Sequence, residues 1–406
     1  MQNRWVEEAA ARQGADPLSM RVYSSRLLGC ESSLVLHGGG NTSVKTTAVD
    51  PFGTPHDVLY VKGSGWDLAT IEPQGFAPVR LDLLRRLAEL PSLADSALVR
   101  AQRSALLDPG APDPSIEAVL HAMIPFAYVD HTHADAVVAI TNTPNGAEHA
   151  HAAFGPRLLL VPYVMPGFKL ARTVGDLTRS IDWGRCDGLI LMGHGIFTWG
   201  SSARASYDAM IRLVTTAEEY LDARGAFRSV RRSECGAEDL VTLARVRREV
   251  AAAAGRPMVA RLNRSAEACG FAGHEKVESI AARGPVTPDH VIRTKRVPVI
   301  LADDPIDAVR SYGDAYGEYF RRHADGGLTM LDPAPRWAVW RGRGLIAFGH
   351  TVAEANVVHD IAEHTAAVIQ WAEALGGWCA LAEADLFAVE YWELEQAKLR
   401  KPGSSR

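Results

Sequence analysis

Residues 344–377 read GLIAFGHTVAEANVVHDIAEHTAAVIQWAEALGG, and they repeat the plan of residues 195–225, GIFTWGSSARASYDAMIRLVTTAEEYLDARG. Each begins with a glycine and a short apolar run, passes through a turn, and continues as a long segment with helical spacing of its apolar residues. A plan that recurs at separated positions in two halves is the mark of a duplicated domain. The residues before the two leading glycines differ: His194 in the first copy, Arg343 in the second. An imidazole can be a neutral nitrogen donor, whereas an always-charged guanidinium cannot. If His194 holds a metal, the second copy has lost that ligand, which predicts one working lobe and one structural lobe.

Outward from the repeat, DVLYVKG (57–63), HADAVVAIT (133–141), RLLLVPYV (157–164) and DGLILMGHGIFTWG (187–200) read as strands. FAPVRLDLLRRLAEL (76–90) reads as an amphipathic helix, and DLVTLARVRREVAAAAGRP (239–257) as a helix stopped by Gly-Arg-Pro. Alternation of strands and helices predicts an α/β (α+β) fold, with a central sheet flanked by helices rather than a bundle or a sandwich. At 406 residues the chain is long enough for two domains of ordinary size. The expected division is a first lobe over 1–235, and connector helices with a degenerate copy over 236–406.

Apolar residues make up 47% of the chain and charged residues 22%, enough burial to offset ordering entropy in a globular protein. A net charge of -5 and short basic pieces such as RSVRRSE (228–234) argue against nucleic acid as a partner, while leaving room for a local phosphate pocket. Cys30, Cys186, Cys235, Cys269 and Cys379 form no C-x-x-C pair, which suits a reducing compartment. The charged N-terminus lacks an apolar signal core, and no run reaches the roughly 18 to 20 apolar residues of a membrane span. Cytoplasmic residence without membrane insertion is the expectation.

In YVDHTHADAVVAI (128–140), His131 and His133 stand two residues apart, so on a strand both project from one face and a single cation can take both. Two polar residues at a strand end fit the same pattern. In PSIEAVLHAM (114–123) a helix opens with Glu117 one turn before His121. That carboxylate suits a ligand, a general base or a partner of the helix dipole. His194, between glycines in LILMGHGIF (189–197), suits a ligand and a satisfied core histidine equally. The turns in LHGGGNTSVK (36–45) and YVKGSGWD (60–67) offer backbone N–H groups, hydroxyls, an amide and the lysines Lys45 and Lys62, which suits a phosphate dianion or two flexible turns. Neither turn matches a nucleotide loop.

GGGNTSVK, VKGSG, SIEAVLHA, HTHADAV, PYVMPG and GHG occur in that order, and with them the chain resembles the class II aldolase/adducin family. With GPVTPDHVIRTKR (284–296) and YWELEQAKL (391–399), it is most similar to the aldolase portion of fused rhamnulose-1-phosphate aldolase/short-chain dehydrogenase proteins. Their dehydrogenase part is not expected here. The resemblance implies zinc, or another divalent ion, on His131, His133 and His194, with Glu117 completing the coordination and acting as base. It implies a substrate phosphate held at Gly40, Asn41, Ser64, Gly65 and Ser115, and Tyr163 as the acid toward the aldehyde oxygen. Ile116 stands where the short aldolases carry a second phosphate-binding serine.

The implied reaction cleaves a ketose 1-phosphate such as L-rhamnulose 1-phosphate into dihydroxyacetone phosphate and an aldehyde, with the ion stabilising the enediolate. The implied partner is a sugar phosphate, and the implied assembly a homo-oligomer with its site near a subunit or lobe interface. Other metal chemistries occur on the same fold: epimerisation, dehydration, decarboxylation, or oxygenation by iron held on two histidines and a carboxylate. A non-catalytic module like the adducin head is the alternative from another class. The four metal-type residues disfavour it for the first lobe, and Arg343 favours it for the second.

Overall fold

The computed structural model describes residues 1–400, with side chains through Gln396. The end of YWELEQAKL and of the lobe expected over 236–406 therefore lies partly outside the described residues. Two compact units divide the chain: Met1–Val137 with Ala147–Glu219, and Val138–Gly146 with the residues from Tyr220 onward.

The first unit is built on seven strands: β1 (Asn41–Val49), β2 (Pro55–Lys62), β3 (Phe76–Arg80), β4 (Tyr128–Thr132), β5 (Leu158–Val161), β6 (Gly188–Leu191) and β7 (Gly195–Gly200). They form one sheet in the order β3-β2-β1-β4-β7-β6-β5, antiparallel except for β5 beside β6. Strands β4, β6 and β7 are buried along their whole length; β6 and β7 accordingly read as largely apolar runs without alternation, whereas β4 buries Asp130, His131 and Thr132. The central position of β4 sets His131 across from Asn41 of β1 on one side and Phe197 of β7 on the other.

Two expected elements are corrected. HADAVVAIT is not a strand: β4 stops at Thr132 and the helix Asp135–Thr141 follows. Every residue of that helix is buried, Asp135 and Thr141 included, and the unbroken apolar stretch AVVAI between them carries neither period. FAPVRLDLLRRLAEL is not one helix: Phe76–Arg80 forms edge strand β3, and only Leu81–Ala88 is helical. Pro78 sits on that strand because an edge position tolerates the missing N–H. The stretch 187–200 folds as a hairpin, β6 and β7, with His194 in its turn.

The second unit carries β8 (Val259–Asn263), β9 (Val299–Leu301), β10 (Trp337–Trp340) and β11 (Gly344–Gly349) in the order β8-β11-β10-β9. Only β9 and β10 run parallel. This is the order and direction of β4-β7-β6-β5, so the duplication extends well beyond one strand and helix. The helix Val352–Ala374 follows β11 as Ala203–Ala223 follows β7. Even the hairpin turns agree: Gly193 and Gly342 have φ of 70° and 68°, and His194 and Arg343 each donate a backbone N–H to the last residue of the preceding strand.

Strand register extends the equivalence to side chains. Thr132 pairs with Ile196, the residue after Gly195, and Asn263 pairs with Leu345, the residue after Gly344. His131, His133 and His194 therefore correspond to Leu262, Arg264 and Arg343. The two arginines hold the chain's own segment 236–238: Arg264 donates to Glu238 and to the Gly236 carbonyl, and Arg343 to the Ala237 carbonyl.

The expectation of unpaired cysteines is also corrected. Cys235 and Cys269 form a disulfide, with Cα atoms 5.2 Å apart and a sequence separation of 34, a spacing no short motif reveals. Cysteine usage therefore no longer argues for a reducing compartment. No helix among the described residues is long and apolar enough to cross a membrane.

Candidate metal centre

His131 is the fourth residue of β4, His133 lies just past its end, and His194 occupies the β6–β7 turn. All three side chains are buried, and one ligand atom from each lies within 4.8 Å of the others. The ring centroids form a nearly equilateral triangle, 5.0 Å for 131–133, 5.1 Å for 131–194 and 4.9 Å for 133–194. His131 donates from Nδ1 to the Ile196 carbonyl at 3.1 Å, which places its lone pair on Nε2. Nε2 in turn lies 3.6 Å from Oε2 of Glu117.

Glu117 is 6% exposed and caps the helix Ala118–Met123 with its backbone, not with its side chain. The dipole-partner reading thus loses its contact. Instead Asn41 Nδ2 donates to Glu117 Oε2 at 2.6 Å, and Oε1 is buried with no hydrogen-bond partner among the described residues. An orphaned carboxylate oxygen costs free energy unless something else is bound there. Three neutral imidazoles with a carboxylate alongside suit a borderline divalent ion such as zinc, and they leave its charge largely uncompensated. The residues present fit a bound divalent metal.

Glycine makes this approach possible. A Cβ on Gly40 would lie 2.6 Å from the His131 carbonyl oxygen, and one on Gly39 3.3 Å from His133 Nδ1. The turn 38–40 and the turn after β2 are neighbours, since a Cβ on Gly38 would stand 3.6 Å from the Trp66 carbonyl. Ser64 donates its N–H to Asp113, and Ser115 its N–H to Lys62. Gly40, Asn41, Ser64, Gly65 and Ser115 are thus gathered in three adjacent segments. Ile116 packs half-buried against the apolar core beside them.

The lysines do not act as expected. Lys45 Nζ donates to the carbonyls of His121 and Phe126 at 2.7 and 2.8 Å, and Lys62 Nζ to those of Gly38 and Gly40 at 2.7 and 3.0 Å. Both brace backbone. Burial, and secondarily Arg85, pulls the Lys45 ammonium down to about 7. Burial first, then the charges of Lys45, His131 and Arg21, holds His121 well below the usual histidine range, so it is neutral. Tyr163 lies two residues beyond the end of β5, which is the edge strand three places from β4, and is half-buried.

Sequence reading missed the support beneath the histidines. Arg21 and Asp130, both wholly buried, pair at 2.7 Å, and Ser206 donates to Asp130 at 2.5 Å. Asp130, directly after Tyr128 and Val129 and before the histidines in YVDHTHADAV, was the available signal, since a buried carboxylate demands a partner.

Residues 21–221 match the model of the class II aldolase and adducin N-terminal domain, and residues 237–399 that of the second domain of class II aldolases. The chain belongs to the class II aldolase and adducin family. It is 32% identical to the uncharacterized oxidoreductase YuxG of Bacillus subtilis over 416 residues, covering 97% of this chain and 60% of that protein. The chain therefore spans less than two thirds of this relative's length. It is also similar to the N-terminal class II aldolase domain of a conserved protein from Thermoplasma acidophilum, at 38% identity and a TM-score of 0.50, over 54% of this chain and 99% of that one. The family fold and the second aldolase-like domain expected from the repeat are both present.

Proposed function

We propose that the first unit is a divalent-metal aldolase, with zinc as the leading candidate, that cleaves a ketose 1-phosphate of the L-rhamnulose 1-phosphate kind into dihydroxyacetone phosphate and an aldehyde. The observation that carries this reading is the buried triangle of His131, His133 and His194, with the unpartnered Oε1 of Glu117 beside it. Held there, the ion would act as a Lewis acid toward the substrate carbonyl and stabilise the charge that develops at C3. Glu117 moves the C3 proton: it removes it in the synthetic direction and returns it after the C3–C4 bond breaks in cleavage. Asn41 restrains one carboxylate oxygen and leaves the other for that proton. Gly40, Asn41, Ser64, Gly65 and Ser115 hold the C1 phosphate, converting its binding energy into alignment of the reacting carbons. Tyr163 exchanges the proton of the C4 oxygen.

The second unit is a structural copy, supported by Leu262, Arg264 and Arg343 in place of the three histidines. A homo-oligomer in the cytoplasm, where ionised sugar phosphates are retained, completes the proposal. The test is metal analysis of the purified protein together with a retro-aldol screen of ketose 1-phosphates, detecting dihydroxyacetone phosphate. One bound divalent ion with cleavage of a ketose 1-phosphate is expected, and neither metal nor cleavage would overturn it. A fully active monomer would remove the oligomer.

A further inference from the structure

We infer that His121 is a positioning residue: it fixes the orientation of the Asn41 amide, and through that amide the carboxylate of Glu117. The inference rests on Glu117 being the base of the proposed reaction. His121 is wholly buried, with Nε2 2.5 Å from Asn41 Oδ1 and Nδ1 2.8 Å from Ser43 Oγ.

The donor directions follow by elimination. A carboxylate accepts only, so the Asn41 atom 2.6 Å from Glu117 is the amide nitrogen. Oδ1 then faces His121, and since that oxygen accepts only, Nε2 carries the proton. In a neutral ring Nδ1 is left as acceptor, so the Ser43 hydroxyl donates to it. The chain Ser43, His121, Asn41, Glu117 has a single consistent direction.

The two elements are matched in spacing. Asn41 and Ser43 are two apart on β1 and share a face, while Glu117 and His121 are one helical turn apart and joined by the His121 N–H to the Glu117 carbonyl. One strand pair meets one helix pair. Without the Nε2 donor, the Asn41 amide can turn over and present its oxygen to the carboxylate, which removes a bond that favours the ionised form of Glu117.

The experiment compares His121→Gln with His121→Asn in the metal-loaded full-length protein. Glutamine can place its amide N–H where Nε2 stood, whereas asparagine reaches only as far as Nδ1. Readouts are kcat, KM, metal content, the acid limb of the pH–rate profile, and exchange of the C3 proton of dihydroxyacetone phosphate with solvent deuterium. For His121→Asn we expect one metal per chain, KM within about twofold, kcat and exchange lower by about 10- to 100-fold, and the acid limb moved to higher pH. His121→Gln restores most of the exchange rate and returns the limb.

Ser43→Ala, which releases the ring's tautomer but keeps its bulk, gives a smaller shift in the same direction and serves if the His121 variants fold poorly. Equal rates in the Gln and Asn variants, or an unmoved acid limb in both His121→Asn and Ser43→Ala, overturn the inference. Glu117→Gln run alongside separates the two levels. If it keeps activity, the assignment of the base fails; if it loses activity while His121→Asn behaves as wild type, only the role of His121 fails.

Discussion

The Cβ that Gly195 lacks would lie 3.0 Å from Cε1 of His131, 3.2 Å from Cδ2 of His133 and 2.3 Å from the carbonyl oxygen of Thr132. A glycine at this position lets the β6–β7 turn bring His194 against the other two rings. Gly195→Ala must move backbone, at a cost of about 1–3 kcal/mol by analogy with overpacked cores. Urea unfolding should show that loss and zinc titration a weakened site. Wild-type metal affinity in Gly195→Ala would disprove this account of the turn.

Two substitutions should divide metal binding from proton transfer. His133→Ala is expected to lose bound metal and activity together, because it removes one of three imidazole donors. Glu117→Gln should keep most of the metal and lose about 10²-fold or more in turnover, the scale of a general base. Metal content measured beside kcat checks both, and a Glu117→Gln enzyme with normal turnover removes the assigned base.

Metal stoichiometry should be one per chain, since the second unit presents Leu262, Arg264 and Arg343 at the equivalent positions. The His131→Ala/His133→Ala double substitution should then leave no stoichiometric zinc. A second equivalent retained by that variant would show that the second unit binds metal through other residues.

Lys45 links stability to pH. Its folded-state value is pulled down to about 7 from the usual 10.5 by burial, so between these values the unfolded chain holds a proton that the folded one does not. Stability from this group therefore rises with pH through that window and is lowest below about 7. The unfolding free energy of the wild type minus that of Lys45→Met should grow from pH 7 to pH 9. A constant difference would mean the ammonium stays charged between its two carbonyls.

The Cys235–Cys269 disulfide closes a 34-residue separation in the second unit. The chain-entropy relation gives about 3 to 4 kcal/mol for a loop of that length. Reductant, or Cys269→Ser, should lower the unfolding midpoint of that unit, followed by denaturation in the presence and absence of dithiothreitol. Identical midpoints would mean the pair contributes nothing.

The alternation of elements, the duplicated strand-turn-helix and the two-residue spacing of His131 and His133 were legible from local order. Backbone period and side-chain type act over a few residues, and both are written consecutively in the chain. Where burial on every side erased the period, as in Asp135–Thr141, local reading assigned a strand to what is a helix. The lysines misled for a related reason: proximity to glycine turns suggested phosphate, whereas Lys45 and Lys62 reach inward to carbonyls.

By itself the sequence determined a two-lobed α/β chain, the family, and the residue types suited to a divalent ion. Only the tertiary structure decided which groups meet. Asn41 reaches Glu117 across 76 residues because β1 pairs with β4 and the Glu117 helix packs alongside. His194 joins the triangle because β7 pairs with β4 and Gly195 allows the approach. That none of the three histidines recurs in the second lobe became visible only through register, which names Leu262 and Arg264 beside Arg343. Such contacts depend on strand pairing and packing between distant segments, and no short-range pattern encodes them.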